Sequence, residues 1–510
     1  MVVVDFTTTI FLNQIKNMKK YIIGVALALI VLGCKTIGSI TQNAPSDYRP
    51  QFHYLPEKNW VNDPNGLVYL DGEYHLFYQY NPFGDLWGHM SWGHAVSKDL
   101  KKWAELPVAI PEKKNADGTT TMIFSGCAVV DSLNTSGFFE EGYKKGMVAI
   151  FTSHIDDNGK GMAQHQSLAF SSDKGRTWKM YDKNPVLDIG LKDFRDPNVI
   201  WYPERNVWVM TVVKALEYTV QFYESKNLKS WKLLSEFGKQ GDVSRIWECP
   251  SLIKVPVENE PNPKWVLMLS SGSRNNNLLG VQYFVGDFDG MKFVPQKQET
   301  LFFDSGYDSY ATIPFFNLPK SHLKPVYLSW ASDWEYARDV PTTGFRGQFT
   351  LPREVILYKN QEGLYRLKQS AIVDSSIPTT IKSLKSGEKL KSKILKSNQN
   401  LYRLILDIDI RDSKGLELIL LKNGDEKTIL NFDSQKNILS LDRRNSGNVS
   451  FNKKFPNLNQ IELIPENGKI KLDILVDKSI IEVFANDGKE AITSLVYPTF
   501  GSSDIELNWK

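Results

Sequence analysis

The sequence predicts an all-β protein, and three observations carry that expectation. From residue 51 onward the chain breaks into short strand-like runs divided by turn residues, among them LVYL, YHLFYQY, GMVAIFTSH, NVIWY, VWVMTVV, TVQFYES, KWVLMLSS, VQYFVGDF and PVYLSWAS. Almost no segment keeps a helical period of apolar residues over three turns. A short motif recurs as SKDLKKW at 97–103, SSDKGRTW at 171–178, SKNLKSW at 225–231 and, more loosely, GDFDGMKF at 286–293. Towards the C-terminus, LYRLILDIDIRD, LELILLK, KTILNF, IKLDILVD and SIIEVFANDG alternate apolar and polar residues, as strands with one solvated face do.

Each recurring motif is a Ser or Gly start, a polar turn and an aromatic that opens the next strand, at spacings of about 50 to 75 residues. In an all-β chain such a repeat marks propeller blades, four-stranded sheets that bury their faces against their neighbours. The region from 49 to 358 has room for five blades. Trp103, Trp178 and Trp231 fall within the repeat and are expected to pack the blades. After LPREVILYKNQEGLYRL the composition turns rich in Lys and Ser and loses Trp. A connector is expected over 359–374 and a two-sheet sandwich over 375–510.

At the N-terminus, MKKYIIGVALALIVLGC (18–34) joins two lysines to an apolar run and then Gly-Cys. That is the pattern of a secretory signal and is too short for a spanning helix. It is similar to a bacterial lipoprotein signal, which makes Cys34 the expected lipidation site and residues 1–34 the signal region, with Met18 the better start. Residues 35–48, KTIGSITQNAPSDY, are polar and suit a tether. An exported protein held on a bacterial membrane by a lipid anchor, on the periplasmic or the outer face, is the expected arrangement.

The chain has 510 residues and a formal net charge of +3, with no dense basic stripe to imply nucleic acid. Aromatics make up 12% of it, including 13 Trp and 21 Tyr, which suits a β-rich core or a sugar-stacking site. Besides Cys34 only Cys127 and Cys249 remain. They form either one disulfide or two buried thiols. No CxxC or His-rich spacing is present, so no metal site is expected.

Three acidic residues have unusual settings: Asp63 in NWVNDPNG, Asp196 in DFRDPNV and Glu248 in IWECPSL. Taken alone, NDPNG is a turn. A residue before proline is pushed towards extended geometry, so Asp63 and Asp196 are expected to be aimed reproducibly from a strand end or tight loop. Glu248 has Ile246, Trp247 and Cys249 beside it, and desolvation by such neighbours would favour its protonated form. An ionised carboxylate beside a carboxylic acid of raised pKa is the pair that retaining glycoside hydrolysis uses.

The ordered set NDPNG, YQYNP (78–82), WGHMSWGHAVSKDLKKW (87–103), FSG (124–126), FRDP and WECP resembles glycoside hydrolase family 32, which contains invertases, levanases and inulinases. DSGYDSYA (304–311), SWASDWEYARDVPTTGFRGQFTLPRE (329–354) and SIIEVFANDG (479–488) extend the likeness over nearly the whole mature chain. The resemblance implies a five-bladed β-propeller followed by a β-sandwich, no cofactor, and a site in the funnel at the propeller axis. It implies that Asp63 is the nucleophile, Glu248 the acid and base, and Asp196 the carboxylate that holds sugar hydroxyls, with Arg195 helping to keep Asp196 ionised. It points to Asn62, Gln79, Trp87, Phe124, Ser125, Arg195 and Asp308 as the sugar-binding shell, with Trp330 and Trp334 as walls. Of the paired WGH tryptophans, Trp87 is expected at the site and Trp92 in the core, while His89 and His94 are expected to be structural. One departure is Ser251, where a common form of the family has aspartate after WECP.

The stretch 329–354 looks closer to levanases and exo-inulinases than to sucrose-specialised enzymes. The expected activity is release of terminal fructose from levan or inulin-type chains, with sucrose as a further substrate. Endo-levanase, a non-catalytic fructan-binding lipoprotein and a fructosyltransferase are the alternatives.

Overall fold

The computed structural model describes residues 48–510 apart from 141–144, 273–278, 298, 389–390, 393–399 and 500–503. The expected lipidation site, Cys34, and nearly all of the tether lie outside the described residues. Two single-turn 3-10 segments, Pro203–Arg205 and Ala215–Glu217, are the only helical elements among the described residues.

Five mainly antiparallel sheets form the first part, each with one inner strand in contact with the inner strands of its neighbours. These inner strands are Asn59–Leu70, Thr120–Val130, Phe194–Tyr202, Glu248–Val255 and Tyr310–Pro314. Each touches the next, and the first touches the last, so the five sheets close into a ring. Backbone bonds seal the closure: Phe316 donates its N–H to Leu67 O at 2.9 Å, and Tyr69 donates to Phe316 O at 3.0 Å. Phe345–Arg346 adds a parallel strand to the first sheet, tying the fifth blade's return segment to Asn59 and Trp60. This is the expected five-bladed propeller.

The recurring motif lies at the turn between the third and outermost strands. Leu100 N–H donates to Ser97 Oγ, and Asp99 Oδ1 accepts from the N–H groups of Lys101 and Lys102. Asn227 does the same for Lys229 and Ser230, so the Ser-x-Asp/Asn start is a side-chain-capped turn. Trp178 and Trp231 each bond a carbonyl three residues back. The motif is thus turn chemistry, and its repetition reports the repetition of blades.

The expected connector is not one. Tyr365–Ala371 pairs with Arg353–Lys359 as the outermost strand of the fifth blade, so residues within 359–374 complete a sheet. The second part is a sandwich of two sheets. One is ordered Thr379–Leu384, Leu401–Asp409, Lys469–Asp477, Ile480–Ala485, Glu490–Leu495. The other is ordered Lys391–Ser392, Asp504–Trp509, Gly415–Asn423, Glu426–Asp433, Ile438–Asn445, Leu458–Glu462. Alternate residues of Leu401–Asp409, namely Leu404, Leu406 and Ile408, enter the core between them, as a period of two requires.

Residues 47–510 form one unit, and the two parts meet across a buried ionic seam. His53 lies between Asp477 (2.8 Å) and Glu482 (3.2 Å). Arg353 bonds Asp304 at 2.7 Å and reaches Glu482 at 3.3 Å. Glu482 belongs to SIIEVFANDG, whose structural task is therefore this seam. Around it, Leu351, Ile377, Leu475 and Phe484 make an apolar cluster.

Candidate active site

Every inner strand gains one residue on its neighbour at the same level. The register slips between Val61 and Pro64, Ile123 and Gly126, Arg195 and Asn198, Glu248 and Ser251, and Tyr310 and Ile313. A bulge bends a strand and re-aims the side chains it carries. Five bulges in a ring turn the ends of five strands towards one point. Prolines 64, 197 and 250 close three of them, where the missing N–H costs no ladder bond.

At three bulges the backbone is left-handed: φ is +63° at Asp196, +49° at Cys249 and +52° at Ala311. Asp196 and Cys249 both precede proline; for Asp196, expected to be extended, the left-handed backbone is a correction to the sequence reading. Such a conformation costs a non-glycine residue about 1–2 kcal/mol. Each is held by its own N–H, which donates to a side chain of the preceding blade. Asp196 donates to Thr152 Oγ1 (2.9 Å), Cys249 to Asp196 Oδ2 (2.9 Å) and Ala311 to Ser270 Oγ (3.0 Å). Gly126 repeats the stitch to Asn65 Oδ1 at 3.2 Å. The ring of bulges is one hydrogen-bonded assembly.

Above it opens a cavity of about 520 Å³ lined by Asp63, Asp196 and Glu248 together with Asn62, Gln79, Trp87, Phe124, Ser125, Arg195 and Trp334. Asp63 Oδ2 accepts from Ser125 Oγ at 2.6 Å, and its Oδ1 accepts from Asn62 Nδ2 at 3.1 Å. Asn62 is itself oriented by Trp60 Nε1, which donates to its Oδ1 at 2.7 Å. The Cys249 thiol lies between two carboxylates, 3.6 Å from Asp63 Oδ2 and 3.7 Å from Asp196 Oδ2. Burial pushes the Asp63 carboxyl above its ordinary range and the Glu248 charge adds to this, against the three donors. Asp196 is raised too, first by burial, with Arg195 pulling it down and Glu248 and Asp63 pushing it up. Asp63 and Asp196 flank one thiol, and the charge of Asp63 disfavours ionisation of Asp196.

Glu248 differs from its expected setting. Along a strand, neighbouring side chains point to opposite faces, so Trp247 turns fully into the core and leaves the carboxylate among polar groups. Glu248 Oε2 accepts from Tyr310 Oη at 2.7 Å and Oε1 accepts from Arg195 Nε at 3.2 Å. The Arg195 side chain contacts Glu248, Asp193 (3.0 Å) and Gln164 (3.1 Å). It was expected to serve Asp196, and it reaches that group through its field alone.

Two further expectations are corrected. Asp308 is absent from the cavity wall. It is fully buried, with Tyr336 Oη donating to Oδ1 at 2.6 Å and Arg443 pairing with Oδ2 at 2.5 Å. Trp330 is also fully buried, packed behind Trp334 at 4.8 Å between ring centres with the planes tilted by 51°, so of the two only Trp334 reaches the cavity. Trp92 is in the core, and its Nε1 bonds Phe124 O. His94 is buried against Phe77, and His89 pairs with Glu112. Cys127 and Cys249 are free and buried.

Sequence reasoning missed Tyr310, Cys249 and His154, whose ring stacks on Phe124 at 4.3 Å and 5°. It also missed Gln164, Asp193, Arg245 and Arg338, all of which line the cavity. Tyr310 sits in the quoted DSGYDSYA, two residues from Asp308. Position along a strand end, which no motif reports, decides which of the two faces the cavity.

Comparison with known proteins agrees with this architecture. Residues 53–368 match the Glycosyl hydrolases family 32 N-terminal domain, and 364–510 match the Glycosyl hydrolases family 32 C terminal. A levanase of Bacillus subtilis is 42% identical over 507 residues, covering 96% of this chain and 73% of the relative. An extracellular exo-inulinase of Aspergillus awamori is 36% identical over 494 residues, covering 90% of this chain and 91% of the relative. A crystal structure of exo-inulinase from the same organism superposes with a TM-score of 0.83 at 34% identity, covering 91% and 95% of the two chains. A fructofuranosidase of Schwanniomyces occidentalis, solved with fructosylnystose bound, superposes with a TM-score of 0.82 at 34% identity and 91% and 95% coverage. On fold, length and sequence together, this chain belongs to glycosyl hydrolase family 32.

Proposed function

We propose that the protein is an exported fructan β-fructosidase that releases terminal fructose, with retention of configuration, from levan or inulin-type chains and also cleaves sucrose. The observation that carries this reading is the convergence of Asp63, Asp196 and Glu248, from three different blades, on one cavity in which Arg195 and Tyr310 hold Glu248 and the Cys249 thiol spans the other two. Asp63 attacks the anomeric carbon of a β-fructofuranosyl unit while Glu248 gives its proton to the departing glycosidic oxygen. The bond to the leaving alcohol breaks as the Asp63 ester forms. Glu248, now ionised, takes a proton from water, which attacks the same carbon and frees Asp63. Asp196 accepts hydrogen bonds from sugar hydroxyls, strengthening as positive charge grows on the ring. Asn62, Gln79 and Ser125 supply further polar contacts, and Trp87, Phe124 and Trp334 cover C–H faces.

The exo-inulinase relatives support end-on attack. The levanase and exo-inulinase relatives support the substrate class. The extracellular relative and the MKK…GC run support export, with lipidation at Cys34 as its anchor. Metabolic labelling with palmitate tests the anchor; label retained by a Cys34→Ala variant refutes it.

Incubation with levan, inulin and sucrose, with products sized over time, tests the activity. Fructose appearing first from both polymers is expected. Early oligosaccharides with little fructose would make the enzyme endo-acting, longer products from concentrated sucrose would make it a transferase, and no product would leave a binding protein.

A further inference from the structure

Segment 333–339 contributes Trp334 and Arg338 to the cavity wall. This segment is gripped from outside by one hairpin of the sandwich, the strands Ile438–Asn445 and Leu458–Glu462 with the loop between them. Asn452 Nδ2 donates to Glu335 O at 2.9 Å and to Asp339 Oδ2 at 2.7 Å, pinning both ends of the turn. Arg443 donates to Tyr336 Oη at 2.9 Å, to Asp308 Oδ2 at 2.5 Å and to Phe455 O at 2.8 Å. Tyr336 packs edge-on against Phe455 at 5.3 Å. Glu335 then spans two cations: Oε2 pairs with Lys454 of the hairpin at 2.5 Å, and Oε1 pairs with Arg245 of the cavity wall at 2.5 Å.

Arg245 is three residues before Glu248 on the lead-in to the same strand. A proton donor faces the leaving group, so the wall beside Glu248 is where the departing part of the substrate lies. Trp334, Arg338 and Arg245 therefore face the units beyond the scissile bond; the hairpin reaches Arg245 through Glu335 and grips the segment that carries Trp334 and Arg338. Asp308 extends the link: its pairing with Arg443 anchors the strand end that carries Tyr310, the donor to Glu248.

We propose that the sandwich hairpin containing Arg443, Asn452 and Lys454 is a positioning element of the substrate cavity, which sets affinity for fructose units beyond the one cleaved. The inference rests on the fructan reading above. Its residues touch no substrate; they act through Glu335, Tyr336 and Asp308.

The test is the double variant Asn452→Ala/Lys454→Met, which spares the buried Arg443 and removes the half-buried Asn452 bonds and the exposed Lys454 ion pair. Its melting temperature should match that of the parent, because exposed ion pairs contribute little. KM for a long β-linked fructooligosaccharide should rise about fivefold with kcat nearly unchanged, while KM for sucrose, which places one unit only beyond the scissile bond, should rise less than about twofold. Lys454→Arg, which still reaches Glu335, should behave as the parent. An equal rise in KM for sucrose and oligosaccharide, a parallel fall in kcat on both, or no change at all overturns the proposal. Calorimetric titration of the same ligands into Asp63→Asn proteins, with and without the hairpin changes, needs no turnover. It decides the inference even if the parent proves inactive, which would refute the activity alone; equal oligosaccharide affinity in the two proteins overturns the inference.

Discussion

Tyr310 donates its hydroxyl to Glu248 Oε2 at 2.7 Å, joining the inner strands of the fifth and fourth blades across the cavity. With Arg195 on the other oxygen, the carboxylate is held on both sides, and its direction is set before any substrate arrives. Tyr310→Phe removes one of the two holds while keeping the ring. Losing a hydrogen bond to a charged group costs about 1.5–3 kcal/mol. We expect kcat to fall about tenfold to a hundredfold with KM little changed; steady-state kinetics on sucrose check this, and full activity would remove Tyr310 from the mechanism.

Asp63→Asn keeps the shape of the side chain and its place beside Ser125 and Asn62, but cannot form the ester intermediate. Turnover should drop about a thousandfold or more while sugar still binds, seen by titration calorimetry. Unchanged turnover would refute Asp63 as nucleophile.

The two thiols should be inert in the folded protein. Burial pushes the Cys127 pKa up to about 12 and raises that of Cys249 well above the ordinary thiol range, with the Asp196 and Asp63 charges adding to the latter. Thiolate is the reactive form, so iodoacetamide should leave both unlabelled at pH 8 and label both after unfolding, as read by mass spectrometry. Rapid native labelling of Cys249 would mean that it opens to solvent.

The seam between propeller and sandwich should make stability depend on alkaline pH. Burial alone would lower the His53 pKa, but hydrogen bonds and charge from Asp477 and Glu482 outweigh it and raise the group from 6.5 to about 9. A raised pKa stabilises the fold fully below the unfolded value and is lost as pH rises through the folded one. The thermal midpoint should therefore fall between pH 6.5 and about 9, by an effect on the order of 3 kcal/mol. His53→Gln should flatten that slope. A midpoint that is level across this window in the parent, or equally steep in the variant, would show His53 uncharged in the fold.

Much of this architecture was written locally. Blade number, the turn motif and the alternation of the sandwich strands follow from residue types within a few positions of one another. Local signals also located the acids: a carboxylate beside proline and asparagine is a short-range feature, and Asp63, Asp196 and Glu248 do reach one cavity. The tertiary structure decided what each group faces. Strand alternation turned Glu248 away from Trp247 towards Arg195 and Tyr310, and Asp308, in the loop before its strand, turned from the expected sugar shell to Tyr336 and Arg443. No pattern along the chain reports that, because the partners lie far apart in sequence: Asp308 and Arg443 are separated by 135 residues, Asp63 and Cys249 by 186. The sequence by itself determined which residues carry charge, turns and apolar faces. Ring closure and the bulges determined which of them meet, since only a closed ring of blades brings five distant strand ends to one axis.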